Sequence, residues 1–129
     1  MSNDLEKKAH VLLITGLPGI GKTTVIRHVA DGLTAKVLRG FYTEEIRLHG
    51  ERCGFRLVSF DGAPRVIAHV DFPKSCRVGK YGVDVGALDD AAPLLQPDPK
   101  ADVYLVDEIG KMEGFSDCLV EAMRTLLSY

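Results

Sequence analysis

The run Gly16-Leu17-Pro18-Gly19-Ile20-Gly21-Lys22-Thr23 has the residue types and spacing needed to hold a polyphosphate. It reads G-x-x-x-x-G-K-[ST], the phosphate-cradling P-loop. Gly16, Gly19 and Gly21 carry no Cβ, so the backbone can curl and turn its N–H groups onto an anion. A helix opening near Lys22 would aim its unpaired N–H groups and the positive end of its dipole at the same place. The Lys22 ammonium can reach the β- and γ-phosphates and stabilise charge there, and the Thr23 hydroxyl can coordinate Mg2+. A second set of groups lies far along the chain. Val103-Tyr104-Leu105-Val106 runs into Asp107-Glu108, an apolar strand ending in two carboxylates, which is the Walker B pattern. Asp107 is suited to hold Mg2+, directly or through water. Glu108 is suited to act as a general base, or to orient the attacking water. Taken singly, the first run also fits a glycine-rich turn that binds nothing, and the second fits solvated acids at a strand end. Together in one chain they favour phosphate chemistry.

These groups need two strands and a helix to position them. Residues 10–15 are apolar without interruption, which predicts a strand buried on both faces, as in a parallel sheet covered by helices. Residues 22–33 predict the following helix, with Ile26, Val29, Ala30 and Leu33 as its apolar stripe and Arg27, His28 and Asp31 facing out. Residues 37–46 predict a second strand, with a turn at His49-Gly50. Residues 52–60 and 64–69 predict two more strands joined by a hairpin turn at Asp61-Gly62. This middle section therefore reads as an antiparallel meander that lines or covers the nucleotide site. A loop over residues 71–80, a short strand over 81–85 and a short helix over 88–95, weakened by Pro93, come next. Residues 103–108 are the second buried strand. Residues 115–127 predict a closing helix whose stripe, Phe115, Leu119, Ala122, Met123, Leu126 and Leu127, is core packing. An open α/β sheet binds its ligand at the carboxyl ends of its parallel strands, where both motifs would fall.

Composition limits the alternatives. A chain of 129 residues, 46% hydrophobic and 26% charged, is that of one soluble globular domain. Residues 1–9 read as a flexible polar lead-in and 10–129 as the domain. The net charge of −2 provides no basic field for nucleic acid or anionic membrane, so nucleic acid is an unfavoured partner. No apolar run approaches the ~20 residues of a membrane span. Three widely spaced cysteines, Cys53, Cys76 and Cys118, predict reduced thiols and a cytoplasmic location. His10, His28, His49 and His69 stand alone and read as surface or packing residues rather than metal ligands.

Four segments resemble the nucleoside-triphosphatases called cancer-related or thermostable NTPases. They are Gly16-Leu17-Pro18-Gly19-Ile20-Gly21-Lys22-Thr23-Thr24, Gly40-Phe41-Tyr42-Thr43-Glu44-Glu45-Ile46-Arg47, Cys76-Arg77-Val78-Gly79-Lys80-Tyr81-Gly82-Val83 and Asp107-Glu108-Ile109-Gly110-Lys111-Met112-Glu113. Arg52, Gly54 and Phe55 are similar too. The resemblance implies an α/β P-loop NTPase: a three-layer fold with a mostly parallel sheet and an antiparallel meander insertion. It implies hydrolysis of ATP, GTP and other nucleoside triphosphates to diphosphate and phosphate, with Mg2+, broad base selectivity and slow turnover. Carried over by position, residues 16–24 and Asp107, Glu108, Ile109 and Gly110 are implied as nucleotide-binding, and Glu108 as the water-activating carboxylate. Relative to the family, the chain reads as C-terminally shortened, and Gly114 stands where the family tends to have Leu. The strand that commonly inserts between the P-loop strand and the Walker B strand is expected beyond this sequence. That leaves three outcomes: a fragment with a gap, direct pairing of the two strands, or another chain in the slot.

Rival readings use the same fold. A nucleotide or small-molecule kinase would need an acceptor pocket and an arginine-rich lid, for which Arg47, Arg52, Arg56 and Arg65 are candidates. A nucleotide-binding switch or assembly subunit would bind without turnover. Lys111, Arg77 and Lys80 are candidates for a further cation near the γ-phosphate. Phe41, Tyr42 and Tyr81 either stack on a base or belong to the core.

Overall fold

The computed structural model describes residues 10–13, 22–33, 35–60, 62–107 and 110–128, with backbone alone for residues 10, 12, 13, 22 and 23. Among the described residues, seven strands form one sheet. They are β1 (His10–Leu13), β2 (Leu38–Leu48), β3 (Glu51–Ser59), β4 (Arg65–His69), β5 (Arg77–Val78), β6 (Tyr81–Val83) and β7 (Val103–Val106). The helices are α1 (Lys22–Gly32), α2 (Val85–Asp89) and α3 (Asp117–Leu127). Across the sheet the order is β1-β7-β2-β3-β4-β6-β5. Strand β7 pairs in parallel with β1 on one side and β2 on the other, and every remaining pairing is antiparallel. The meander is thus a continuation of the parallel sheet. Strand β2 serves both parts, with one edge on β7 and the other on β3.

The apolar run of β7 explains the layering. All four of its residues are buried, because helices cover both faces of the strand. Leu105 points to one side and packs with Ile26 of α1 and Tyr42 of β2. Tyr104 and Val106 point to the other and pack with Leu88 of α2, Leu95, and Leu119, Met123 and Leu126 of α3. Each fully buried Leu or Ile contributes roughly 1.5–3 kcal/mol, so these two clusters hold the three layers together. Phe115 and Leu127 are not part of the α3 stripe: they are 39% and 57% exposed. Phe115 lies in a short 3-10 turn (Glu113–Phe115) before the helix, and Ser116 caps α3 by accepting the Leu119 N–H at 3.1 Å.

Local chemistry sets the remaining boundaries. His49 (φ 53°) and Gly50 (φ 82°) form a two-residue hairpin between Leu48 and Glu51, the positive-φ pattern of a type I′ turn. Asp84 ends the β6 segment early and caps α2 through the Ala87 N–H at 3.0 Å. The helix expected over residues 88–95 is divided: α2 ends at Asp89, and Pro93, which has no N–H to donate, sits in a separate 3-10 turn (Ala92–Leu95). Gly40 has φ +105°, and a Cβ there would lie 2.3 Å from the Leu105 carbonyl oxygen, so this close approach of β2 to β7 requires glycine. The lead-in over residues 1–9 and the turn residue Asp61 lie outside the described residues.

Candidate functional site

Strands β1 and β7 pair directly, from His10 opposite Val103 to Leu13 opposite Val106. Within this chain the two strands are hydrogen-bonded neighbours with no strand between them. Both strands therefore end at the same edge of the sheet. From Leu13 the chain enters residues 14–21, and from Val106 it enters Asp107. Gly16, Leu17, Pro18, Gly19, Ile20 and Gly21 lie outside the described residues, as do Glu108 and Ile109. Lys22 and Thr23 are the first two residues of α1, with Thr24 exposed after them. Helix α1 packs beside this part of the sheet, with Ile26 in one cluster with Leu105 and Tyr42 and Arg27 paired to Glu44.

Asp107 is fully buried. Its backbone N–H donates to the Phe41 carbonyl at 3.3 Å. Strand β2 runs on past the end of β7, and there the carboxylate takes the place of a strand partner. Asp107 Oδ2 accepts the Thr43 backbone N–H at 3.0 Å and the Thr43 hydroxyl at 2.9 Å. Two donors from one residue fix the direction of the carboxylate. Sequence reasoning did not single out Thr43. The signal available was its place in the Gly40–Arg47 segment, one position before the acidic pair Glu44-Glu45.

The donor set fits Mg2+. This ion takes one or two protein oxygens and completes its shell with phosphates and waters. The buried Asp107 carboxylate is a donor of that kind. No group of three or more His, Cys, Asp or Glu that could cage a metal occurs among the described residues.

Two ion-pair triads brace the hairpin beside this edge. Glu44 bridges Arg27 of α1 at 2.8 Å and Arg56 of β3 at 3.2 Å. Arg27 also lies over the Tyr42 ring at 5.8 Å, and Tyr42 first, then Glu44, raise its pKa. Glu45 bridges Arg47 at 2.9 Å and Arg52 at 2.7 Å. Burial opposes ionisation of Glu45, but the hydrogen bonds and charges of Arg47 and Arg52 outweigh it and hold the carboxyl below its usual range. Arg52 donates to the Tyr81 hydroxyl at 3.1 Å, and that bond, with Glu45, raises its pKa.

Of the further cation candidates, Arg77 lies on β5 and Lys80 in the β5–β6 turn, where Lys80 sits 5.5 Å over the Tyr81 ring. Strand β5 is five spacings from β7 along the sheet, roughly 24 Å, which removes both from the Asp107 edge. Lys111 is exposed and follows the Asp107–Gly110 segment directly. The three aromatics are core. Phe41 is fully buried in the main cluster, Tyr42 packs 5.7 Å from Phe60, and Tyr81 meets Phe55 edge-on at 5.1 Å.

Comparison with known proteins places this geometry among relatives. The model of the family described as NTPase matches residues 11–129. The chain is 42% identical over 107 residues to Nucleoside-triphosphatase THEP1 of Thermotoga sp. (strain RQ2), covering 81% of this chain and 60% of that protein. It is 40% identical over 132 residues to the Cancer-related nucleoside-triphosphatase homolog of Mus musculus, covering 92% of this chain and 69% of that protein. The crystal structure of THEP1 from Aquifex aeolicus superposes with a TM-score of 0.77 at 34% identity, covering 91% of this chain and 69% of that one. The chain thus spans about 60–70% of the length of these relatives.

Proposed function

Since the chain belongs to the NTPase family, we propose that it hydrolyses nucleoside 5′-triphosphates, ATP and GTP among them, to diphosphate and phosphate with Mg2+. The observation that carries this reading is the register Leu13 opposite Val106, which ends the P-loop strand and the Asp107 strand at one edge. In this mechanism the amides of residues 16–21 and the Lys22 ammonium surround the phosphates and stabilise the charge that develops on them. Thr23 and Asp107 would hold the metal, Asp107 with its direction set by Thr43. When bound, Mg2+ neutralises charge on the β- and γ-phosphate oxygens. Glu108 aligns a water and takes its proton for in-line attack. Thr24, Ile109 and Gly110 complete the nucleotide contacts. Lys111, which follows the Asp107–Gly110 segment in the sequence, is the cation we assign to assist.

Three of the four arginines considered for a kinase lid are occupied elsewhere. Arg47, Arg52 and Arg56 are engaged by Glu45 and Glu44 within paired strands, an arrangement that braces a hairpin rather than closes over an acceptor. Among the described residues no helix is long and apolar enough to cross a membrane. Cytoplasmic nucleotides are the proposed substrates, without a nucleic-acid or membrane partner.

Phosphate release by the wild type and by Glu108→Gln, each with Mg2+ and with EDTA, tests this. The expected result is release that needs Mg2+ and falls about 100-fold or more in the variant. Equal rates for the two proteins would remove Glu108 as the base. Diphosphate production that rises sharply with an added nucleoside would point to a kinase, and tight Mg2+–nucleotide binding without turnover to a switch.

A further inference from the structure

Three consecutive residues of β2 anchor two different parts of the fold. Side chains alternate along a strand, so Tyr42 and Glu44 share one face and Thr43 takes the other. On its face Thr43 holds the buried Asp107 carboxylate through the hydroxyl at 2.9 Å. On theirs, Tyr42 and Glu44 hold α1. Tyr42 packs in one cluster with Ile26 and Leu105, and the Arg27 guanidinium lies over its ring at 5.8 Å. Arg27 Nη2 donates to Glu44 Oε2 at 2.8 Å. The second oxygen, Glu44 Oε1, faces Arg56 Nε of β3 at 3.2 Å. The Arg27 side chain is 57% exposed, and an exposed ion pair contributes little to stability. It contributes direction instead. Apolar contact is non-directional, so Ile26 against Tyr42 and Leu105 sets how far α1 stands from the sheet and leaves it free to slide. A charged hydrogen bond at one point of β2 fixes where along the strand the helix sits.

We propose that Arg27 and Glu44 are positioning residues for the metal–nucleotide complex, because they register α1 against the strand that holds Asp107. Helix α1 begins with Lys22 and Thr23, which the proposed mechanism assigns to the phosphates and the metal. Asp107 is the other protein ligand assigned to that metal. One strand segment then sets both, the helix through Tyr42 and Glu44 and the carboxylate through Thr43. Mg2+ tolerates little departure from its short, near-octahedral contacts, so a slip of α1 along β2 costs affinity for the Mg2+–nucleotide complex. Metal-free nucleotide needs no such register with Asp107. The inference rests on the hydrolase reading of this edge.

Titration calorimetry of the full chain with a non-hydrolysable ATP analogue, in Mg2+ and in EDTA, tests this beside the melting temperature. In Arg27→Met and in Glu44→Met the Kd in Mg2+ is expected to rise about 3- to 10-fold, with the Kd in EDTA changed less than about twofold. Melting temperatures are expected within about 5 °C of wild type. Arg27→Lys, which keeps the charge, should recover most of the affinity. The double variant should lose no more than either single one, since one contact is lost in all three. Arg56→Met removes the partner of Glu44 on the sheet and leaves the pair to the helix, so its Kd in Mg2+ should match wild type. A Kd in Mg2+ for Arg27→Met within about twofold of wild type overturns the proposal. An equal rise in Mg2+ and in EDTA overturns it too, as does a loss in Arg56→Met as large as in Arg27→Met, because a merely structural pair behaves in those ways. Where Arg27→Met folds poorly, Arg27→Gln is read in the same way. A wild type that binds the analogue equally in Mg2+ and in EDTA refutes the metal reading of the edge and the proposal with it. A Mg2+-dependent wild type whose affinity ignores Arg27→Met refutes the proposal alone.

Discussion

Thr43→Val isolates the bond that orients Asp107. Valine has the shape of threonine, keeps the backbone N–H that Asp107 Oδ2 accepts at 3.0 Å, and removes only the hydroxyl that donates at 2.9 Å. A hydrogen bond to a charged group contributes about 1.5–3 kcal/mol, and this acceptor is fully buried, so water does not replace the lost donor. For a domain of this size each kcal/mol moves the melting temperature by about 3–5 °C, so the variant should melt about 5–15 °C below wild type. Thr43→Ser, which restores the hydroxyl, should recover most of the loss. A cycle with Asp107→Asn should show a coupling of about 1 kcal/mol or more between the two sites. Differential scanning calorimetry measures the wild type, Thr43→Val, Thr43→Ser, Asp107→Asn and the Thr43→Val/Asp107→Asn double variant. A melting temperature for Thr43→Val within about 1 °C of wild type, or additivity in the cycle, would refute the claim that Thr43 holds the carboxylate. Thr43→Val should also show weakened Mg2+ dependence of nucleotide binding, since one of the two donors that aim the carboxylate is gone.

Two further perturbations follow from other parts of the fold. Gly40→Ala puts a Cβ 2.3 Å from the Leu105 carbonyl oxygen at φ +105°, so the β2–β7 junction must open. A loss of about 3 kcal/mol or more is expected, measured by urea unfolding, with most expressed protein insoluble if the junction fails. Glu45 has a folded-state pKa below its usual 4.5, so its pairs with Arg47 and Arg52 contribute stability above that pH, and the contribution is lost as pH falls through the depressed value. Glu45→Gln should therefore lower the melting temperature near pH 7 and leave it nearly unchanged at pH 2–3. A loss of equal size at both pH values would show that the ion pairs are not its source.

The elements that carry the chemistry were legible in the residues themselves. An uninterrupted apolar run reads as a strand buried on both faces wherever it folds, and β7 is buried along all four residues. Helix α1, the His49-Gly50 hairpin and the meander over residues 38–69 were legible for the same reason, since periodicity and positive-φ turn residues act over a few neighbours, whereas the two-residue β5 falls in the stretch 71–80 that reads as a loop. The resemblance added the family, which the comparisons bear out over residues 11–129. Other features were visible only once distant segments met. Whether Phe41, Tyr42 and Tyr81 would meet a base or a core depended on what covered each face of the sheet, and α1 and α3 cover them. Arg77 and Lys80 look as eligible as Lys111 until strand order sets them at the far edge. Local signals say that β1 and β7 are strands, and nothing in them says which strand lies beside which. The same holds for the partner of Asp107. Thr43 becomes visible as that partner only when the chain is folded, because a hydrogen bond is a matter of position within about 3 Å, and the position of two residues 64 apart is set by packing across the sheet.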